Sequence, residues 1–261
     1  SSSASFELLV GVIARKVYTL DIDTLGLVKV GKRVENDFIG VNSGIMDQFA
    51  VGMGKKDCAI LLDCNTLSYR YSKLALDGCS IVITNTNKTH SLVTSAYNER
   101  RAQCESALKA LQKVKPIKAL GELTNAEFDA IASAIPAPVE RRRARHAVYD
   151  NNRTLEAVKA LEANDVKRFG ELMNASHVSL RADYEVTGPE LATLAELAWQ
   201  QDGVLGSRMT GGGFAGCTVS IVRDAAIPAF EKNVGDAYTA KIGYAPSFYV
   251  ANIADGARRL S

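Results

Sequence analysis

Histidine and tryptophan are nearly absent, with three and one in 261 residues. The five cysteines (Cys58, Cys64, Cys79, Cys104 and Cys217) are odd in number, widely spaced and without a Cys-x-x-Cys pair. That scarcity excludes a disulfide framework and a Cys/His zinc site, and it fits reduced thiols. His90, His146 and His177 show no ligand spacing and read as structural residues. An excess of charge is missing as well: 31 basic against 29 acidic residues leave a net charge of +2, so no global field recruits nucleic acid or an anionic membrane. No apolar run is long enough to span a bilayer, and no signal-peptide pattern opens the chain. The expectation is a cytoplasmic protein whose partners include neither nucleic acid nor membrane. Linkers, repeats and low-complexity stretches are lacking too. There is no initiator methionine; the chain opens on Ser1-Ser2-Ser3-Ala4-Ser5, a composition common in tails.

What is present suits an ordinary globular chain: at 47% hydrophobic, 261 residues bury a real core in two domains or one large one. Apolar spacing predicts helices over about 4–17 and from Thr24 to Phe38, then a helix carrying Asp47 that is closed by Gly52 and Gly54. Strand-like runs follow at Cys58–Asp63 and Leu67–Tyr71, joined by a short Asn-Thr turn, and a third at Cys79–Asn85. Asp77-Gly78 marks the expected boundary between domains 1–77 and 78–261. Beyond it, His90–Lys113 carries Tyr97, Arg101, Cys104, Leu108 and Leu111 on one helical face. Thr124-x-x-Glu127 and Thr187-x-x-Glu190 read as capping boxes. Helices are expected near 138–162, 165–184 and 224–241, with strands around 206–210, from Phe214 to Val222 and at Ser247–Val250. The second half then forms an antiparallel sheet covered by helices on one side.

Several residues carry chemistry. Asp47 sits in the first turn of a helix behind the turn-forming Asn42-Ser43-Gly44, in the positive field of the helix N-terminus. The opening serines have a second reading, because N–H groups at a helix start bind phosphate and hydroxyls add ligands to a phosphate or its magnesium. Glu35 is a carboxylate one helix before Asp47. Gly211-Gly212-Gly213, between two strands, lets the main chain approach a ligand closely or simply forms a hairpin turn. Arg141-Arg142-Arg143-Ala144-Arg145-His146 reads as a solvated helix face.

Three segments in this order, Ser1 to Glu7, Gly44-Ile45-Met46-Asp47-Gln48-Phe49 and Met209 to Thr218, resemble the second motif, catalytic-aspartate segment and third motif of galactokinases in the GHMP kinase superfamily. His90-Ser91-Leu92, Tyr97, Arg100-Arg101, Arg143 to His146, Ser176-His177, Asp183 to Val186 and Pro189-Glu190-Leu191 extend the likeness over nearly the whole chain. The resemblance implies an α+β fold with two parts. These are an incomplete N-terminal GHMP kinase domain of the ribosomal protein S5 domain 2-like type and a ferredoxin-like C-terminal domain. It implies ATP-dependent phosphorylation of the anomeric hydroxyl of galactose. Asp47 matches the catalytic aspartate, and Gly44 and Tyr97 match galactose contacts. Ser1, Ser2, Ser3 and Ala4, with Gly211 and Gly212, match the ATP site, and Ser3 and Glu35 match the Mg2+ ligands. The complete protein is expected to be a monomer.

There are departures: Ser43 stands where many relatives have Cys, and Ala215, where many have Gly, is expected to tighten its loop. The chain begins inside the second motif, so the first motif, most sugar contacts and the arginine partner of the catalytic aspartate are expected upstream. These 261 residues alone are expected to expose apolar surface, to aggregate and to lack useful activity. Two competing readings are a non-catalytic galactose and ATP sensor and an N-acetylgalactosamine kinase. The Ser3-Ala4 pair speaks against the sensor, and Ala4-Ser5-Phe6-Glu7 with the third motif speaks against the second kinase.

Overall fold

The computed structural model describes residues 2–40, 43–88 and 93–259, and for 93–95 the backbone only. Ser1, Asn42 and His90-Ser91-Leu92, all named above, lie outside the described residues. The chain forms two compact units, Ser1–Ala75 with Asn252–Ser261, and Leu76–Ala251.

The first unit contains α1 (Ser2–Val17), α2 (Thr24–Arg33), α3 (Met46–Met53) and a hairpin of β1 (Cys58–Leu62) and β2 (Tyr69–Lys73). Asp23 starts α2 by accepting the Gly26 N–H at 2.6 Å. The expected helix to Phe38 is α-helical only to Arg33. It widens into a π-helical turn, Val34–Ile39, which the left-handed Gly40 (φ 83°) ends. Gly54 closes α3, whereas Gly52 lies inside it for packing: a Cβ there would sit 2.5 Å from Val28 Cγ2. Leu8, Leu27, Val28, Ile45 and Phe49 form the core between the three helices. The hairpin turn is built on Asp63, whose Oδ1 accepts the N–H groups of Asn65 (2.8 Å) and Thr66 (3.3 Å).

The second domain was expected to run to the C-terminus, but its last ten residues group with the first unit instead. The cause is main-chain pairing: Gly256 N–H donates to Gly54 O at 2.8 Å and Ala257 N–H to Val51 O at 2.7 Å. A side chain at Gly256 would overlap the Gly52 carbonyl, so only glycine lets the strap lie this close.

On α1, Ala4 and Leu8 enter the core while Phe6 (68% exposed), Ile13 (52%) and Val17 (66%), with Leu9 and Val10 between them, form an apolar stripe open to solvent. Stripes of this kind drive association. Expressed as these 261 residues, the protein is expected to self-associate at micromolar concentration, and Phe6→Lys with Ile13→Glu to reduce it. A monodisperse unmodified sample in light scattering would contradict this.

In the second unit, β3 (Cys79–Asn85) is followed by α4 (Val93–Leu111), α5 (Asn125–Ile131), α6 (Pro138–Glu162), α7 (Val166–Ser179) and a π-helical turn, Leu180–Tyr184. Then come α8 (Gly188–Trp199), β4 (Val204–Met209), β5 (Cys217–Arg223), α9 (Ile227–Ile242) and β6 (Ser247–Ala251). The strands form an antiparallel sheet in the order β4-β5-β3-β6, the ferredoxin-like order. Val82 and Val222 of the sheet pack with Leu194 and Ala198 of α8 and with Phe230, Val234 and Tyr238 of α9. A second core joins α4, α5 and α6 through Leu111, Phe128 and Val148.

The edge strand β4 is covered by α7 rather than by another strand. Gly170 and Gly206 meet so closely that a Cβ on either would overlap the other segment's backbone. Asn174 Oδ1 then accepts Ser207 N–H at 2.8 Å, and His177 Nδ1 accepts Met209 N–H at 3.0 Å. Side chains of a helix thus satisfy donors that an open edge would leave for aggregation.

Two local expectations need correction. Thr124 and Glu127 form their capping box, but Thr187 does not. Its backbone is already helical (φ −80°, ψ −36°) after the π-helical turn, its side chain caps nothing, and Glu190 pairs with Lys88 at 3.0 Å. On α4 the inward arginine is Arg100; Arg101 is exposed and pairs with Glu105 at 2.9 Å.

Candidate active site

Each unit holds part of the expected site. In the first, Ser2 begins α1 and Ser3 is exposed beside the fully buried Ala4. Glu35 lies in the π-helical turn at 9% exposure. Asp47 is the second residue of α3, half-buried, and Gly44 is exposed just before that helix with open space where a side chain would project. Glu7, one turn after Ser3, accepts Gln48 Nε2–H at 3.1 Å. Burial first, then the neighbouring Glu35 carboxylate, push the Glu7 carboxyl upward while the Gln48 bond opposes them. Glu7 Oε1 is buried without a partner. A carboxylate pair with an unpartnered oxygen, on the helix that carries Ser3, suits a hard divalent cation with oxygen ligands. Among the described residues no group of three or more His, Cys, Asp or Glu gathers at one point.

In the second unit the glycine loop is held from three sides. Tyr97 packs on Gly212, where a Cβ would lie 3.2 Å from its ring. Gly213 (φ 84°) has no room for a side chain against Val186, and the Phe214 N–H donates to Val186 O at 2.6 Å. Thr86 N–H and Oγ1–H both donate to Gly216 O, each at 2.9 Å. Positive φ falls on Gly211, Gly213, Phe214 and Gly216, and Ala215 escapes it. The expected tightening at Ala215 is therefore absent; the strained residue is Phe214 (φ 62°), and the strand begins at Cys217, after Gly216 (φ 92°), rather than at Phe214.

The basic run is only partly a solvated face: Arg145 is exposed, while Arg143 and His146 are buried. Arg143 is 2% exposed and donates from Nε to Gln103 Oε1 (3.0 Å) and from a terminal nitrogen to Asp183 O (2.6 Å), with Glu185 Oε2 as a third partner. Arg100 Nε–H donates to Tyr184 O at 2.8 Å and its guanidinium lies over Phe214, 5.9 Å from the ring centre. Two arginines thus hold the 183–186 segment, which in turn holds Gly213 and Phe214. Sequence reasoning missed this support and the Glu7–Gln48 bond. Its only trace was the family likeness at Arg100, Arg143 and Asp183 to Val186, which marks these residues without saying what they touch.

His177 and His146 are buried, and burial pushes each imidazole down to about 4. Arg208 and Arg181 add to this at His177; at His146, Asp150 and Asp183 oppose it while Arg153 and Arg208 add to it. Protonating His177 Nδ1 would also remove the acceptor of Met209 N–H. The unfolded chain binds these protons below about 6.5, so stability is fully present above that pH and is lost as pH falls toward 4. The denaturation midpoint is expected to drop steadily from pH 6.5 to 4.5. An unchanged midpoint over that range would show that neither histidine is held neutral.

Comparison with known proteins defines the class. The family model for the GHMP kinases N terminal domain matches residues 1–55 and that for the GHMP kinases C terminal matches 157–239. Galactokinases of Clostridium beijerinckii (60% identical over 260 residues) and Ligilactobacillus salivarius (58% over 260) each match 100% of this chain, which spans 67% of each relative. The galactokinase of Lactococcus lactis, solved with galactose, is 53% identical with a TM-score of 0.97. The match covers 100% of this chain and 67% of that one. L. major mevalonate kinase, 16% identical with a TM-score of 0.60 over 98% of this chain and 66% of that one, shares the fold. The chain belongs to the galactokinase family of GHMP kinases and is a sugar kinase. No helix among the described residues is long and apolar enough to cross a membrane.

Proposed function

We propose that this chain carries the aspartate and the phosphate-binding elements for transfer of the γ-phosphoryl group of ATP to the anomeric hydroxyl of galactose, giving galactose 1-phosphate. The main support is the galactose-bound L. lactis relative, with its TM-score of 0.97 over 100% of this chain. The alternatives, a sensor and an N-acetylgalactosamine kinase, find no support among the relatives named above.

Asp47, aimed from the first turn of α3, orients the sugar hydroxyl and accepts its proton as the oxygen attacks the γ-phosphorus; the bridging oxygen leaves with ADP. Gly44, without a side chain, leaves the sugar room beside that helix, and Tyr97 contacts the sugar from α4. N–H groups at the start of α1, in Ser2, Ser3 and Ala4, take the phosphates, with Ser1 before them in sequence. Gly211 and Gly212 lie against the nucleotide in a backbone shape fixed by Val186 and Thr86. The Ser3 hydroxyl and the Glu35 carboxylate would hold Mg2+, which when bound offsets the negative charge of the phosphate oxygens. The complete protein acts as a monomer in the cytoplasm, where the five free cysteines of this chain stay reduced.

The direct test is phosphate transfer to galactose and to N-acetylgalactosamine by the complete protein that carries this sequence, followed by phosphorus NMR. Galactose 1-phosphate is the expected product, and a preference for the acetylated sugar would reject the reading.

A further inference from the structure

We infer that Glu7 and Gln48 are positioning residues for phosphoryl transfer: the hydrogen bond between them ties the phosphate-binding helix α1 to α3 and sets the direction in which Asp47 points. The inference rests on the assignment of Asp47 above.

Helix α3 has only eight residues, and its N-cap, Ile45, makes no side-chain cap bond. Its first turn is therefore not fixed by its own sequence. The apolar contacts of Ile45 and Phe49 hold α3 against its neighbours, but such contacts are non-directional. Gln48, 3% exposed, adds a directed bond: its Nε2–H reaches Glu7 Oε2 at 3.1 Å, across 41 residues of chain. Gln48 adjoins Asp47, so the helix rotation that satisfies one fixes the bearing of the other, about 100° away around the axis. Glu7 follows Ser3 by one turn on α1, so the same bond references Asp47 to the expected phosphate and metal ligand.

A third helix is shaped around this pair. A Cβ at Gly31 of α2 would lie 3.0 Å from Glu7 Oε2 and 3.1 Å from Gln48 Cγ. Glycine costs about 1 kcal/mol in a helix interior, and here its absent side chain is the space the bond occupies. Glu35, one turn further on, faces Glu7. Either protonation state of Glu7 offers Gln48 an acceptor oxygen, so the tie survives titration of Glu7.

The test compares Glu7→Ala, Gln48→Leu, which keeps volume, and the exchanged pair Glu7→Gln with Gln48→Glu, which restores the bond with donor and acceptor reversed. Measured for each, in the complete protein that carries this sequence, are kcat, KM for galactose, galactose affinity by calorimetry and Tm; Asp47→Asn is run alongside. Each single variant is expected to lower kcat about tenfold, as small misplacements of a reacting group do, with KM and affinity within about twofold. The exchanged pair is expected to return kcat to within about threefold of the unmodified protein. A merely structural bond would lower Tm and leave kcat within about twofold; that result, or an exchanged pair no better than the single variants, overturns the inference. Turnover by Asp47→Asn overturns the assignment beneath it, and the inference with it. Should Glu7→Ala fail to fold, Gln48→Leu and the exchanged pair decide alone.

Discussion

In the complete protein, Asp47→Asn is expected to lower kcat by about a thousandfold or more while changing galactose affinity only a few fold. The two side chains have the same shape, so α3, its core residues Ile45 and Phe49, and the Gln48–Glu7 bond should persist. What is lost is the negative charge and the proton acceptor. A positioned general base contributes about 10²–10⁴-fold, and an anion that orients the attacking hydroxyl contributes through the same group. An amide still hydrogen-bonds to a sugar hydroxyl, which is why binding survives: the interaction removed belongs to the transition state. Steady-state kinetics with calorimetry separates the two effects. If kcat stays within about tenfold, Asp47 is not the group that handles the proton. If affinity falls in parallel with kcat, its role is ground-state binding.

Asp47 also shows where sequence reasoning stopped. A first-turn aspartate behind Asn-Ser-Gly is visible in the chain, because helix starts have local signatures. Gln48 and Glu7 lie 41 residues apart, and no local pattern announces a bond across that distance. Strand β3 was legible to the residue, since a continuous β-branched run bounded by Gly78 has one reading. The capping box at Thr124 was legible, and the same pattern at Thr187 misled, because a left-handed Glu185 (φ 56°) ends the preceding helix and leaves Thr187 already helical. Charge misled in the same way. Arg143 looks solvated by type, yet the carbonyl of Asp183, the Gln103 amide and the Glu185 carboxylate give it a buried seat. Glycines were the least readable. Three in a row announced a loop, but the isolated Gly31, Gly52, Gly170 and Gly256 each mark a close approach whose partner lies far away in the chain.

Gly170 gives the second large effect, and there two principles predict opposite signs. Glycine in a helix interior is about 1 kcal/mol worse than alanine, so propensity alone makes Gly170→Ala stabilising. Packing says otherwise: the added Cβ would overlap the Leu205 carbonyl oxygen, lie 2.5 Å from its carbon and 3.1 Å from Gly206 N. These are backbone atoms of β4, which cannot swing aside. Helix α7 must withdraw, stretching the bonds from Asn174 to Ser207 N–H and from His177 to Met209 N–H. Each buried donor left unpaired costs about 1–3 kcal/mol, and overpacking itself costs about 1–3. The sum far exceeds the propensity gain, so Gly170→Ala is expected to destabilise the protein by about 3 kcal/mol or more. The displacement also reaches the site, because β4 leads through Met209 and Thr210 into Gly211. Gly235→Ala on α9 is the control: there a Cβ would meet Phe248 at an ordinary 3.4 Å, and propensity should prevail with a gain of up to about 1 kcal/mol. Urea denaturation of both variants tests the argument, and a Gly170→Ala protein as stable as Gly235→Ala would mean that α7 is not pinned to β4 by backbone contact.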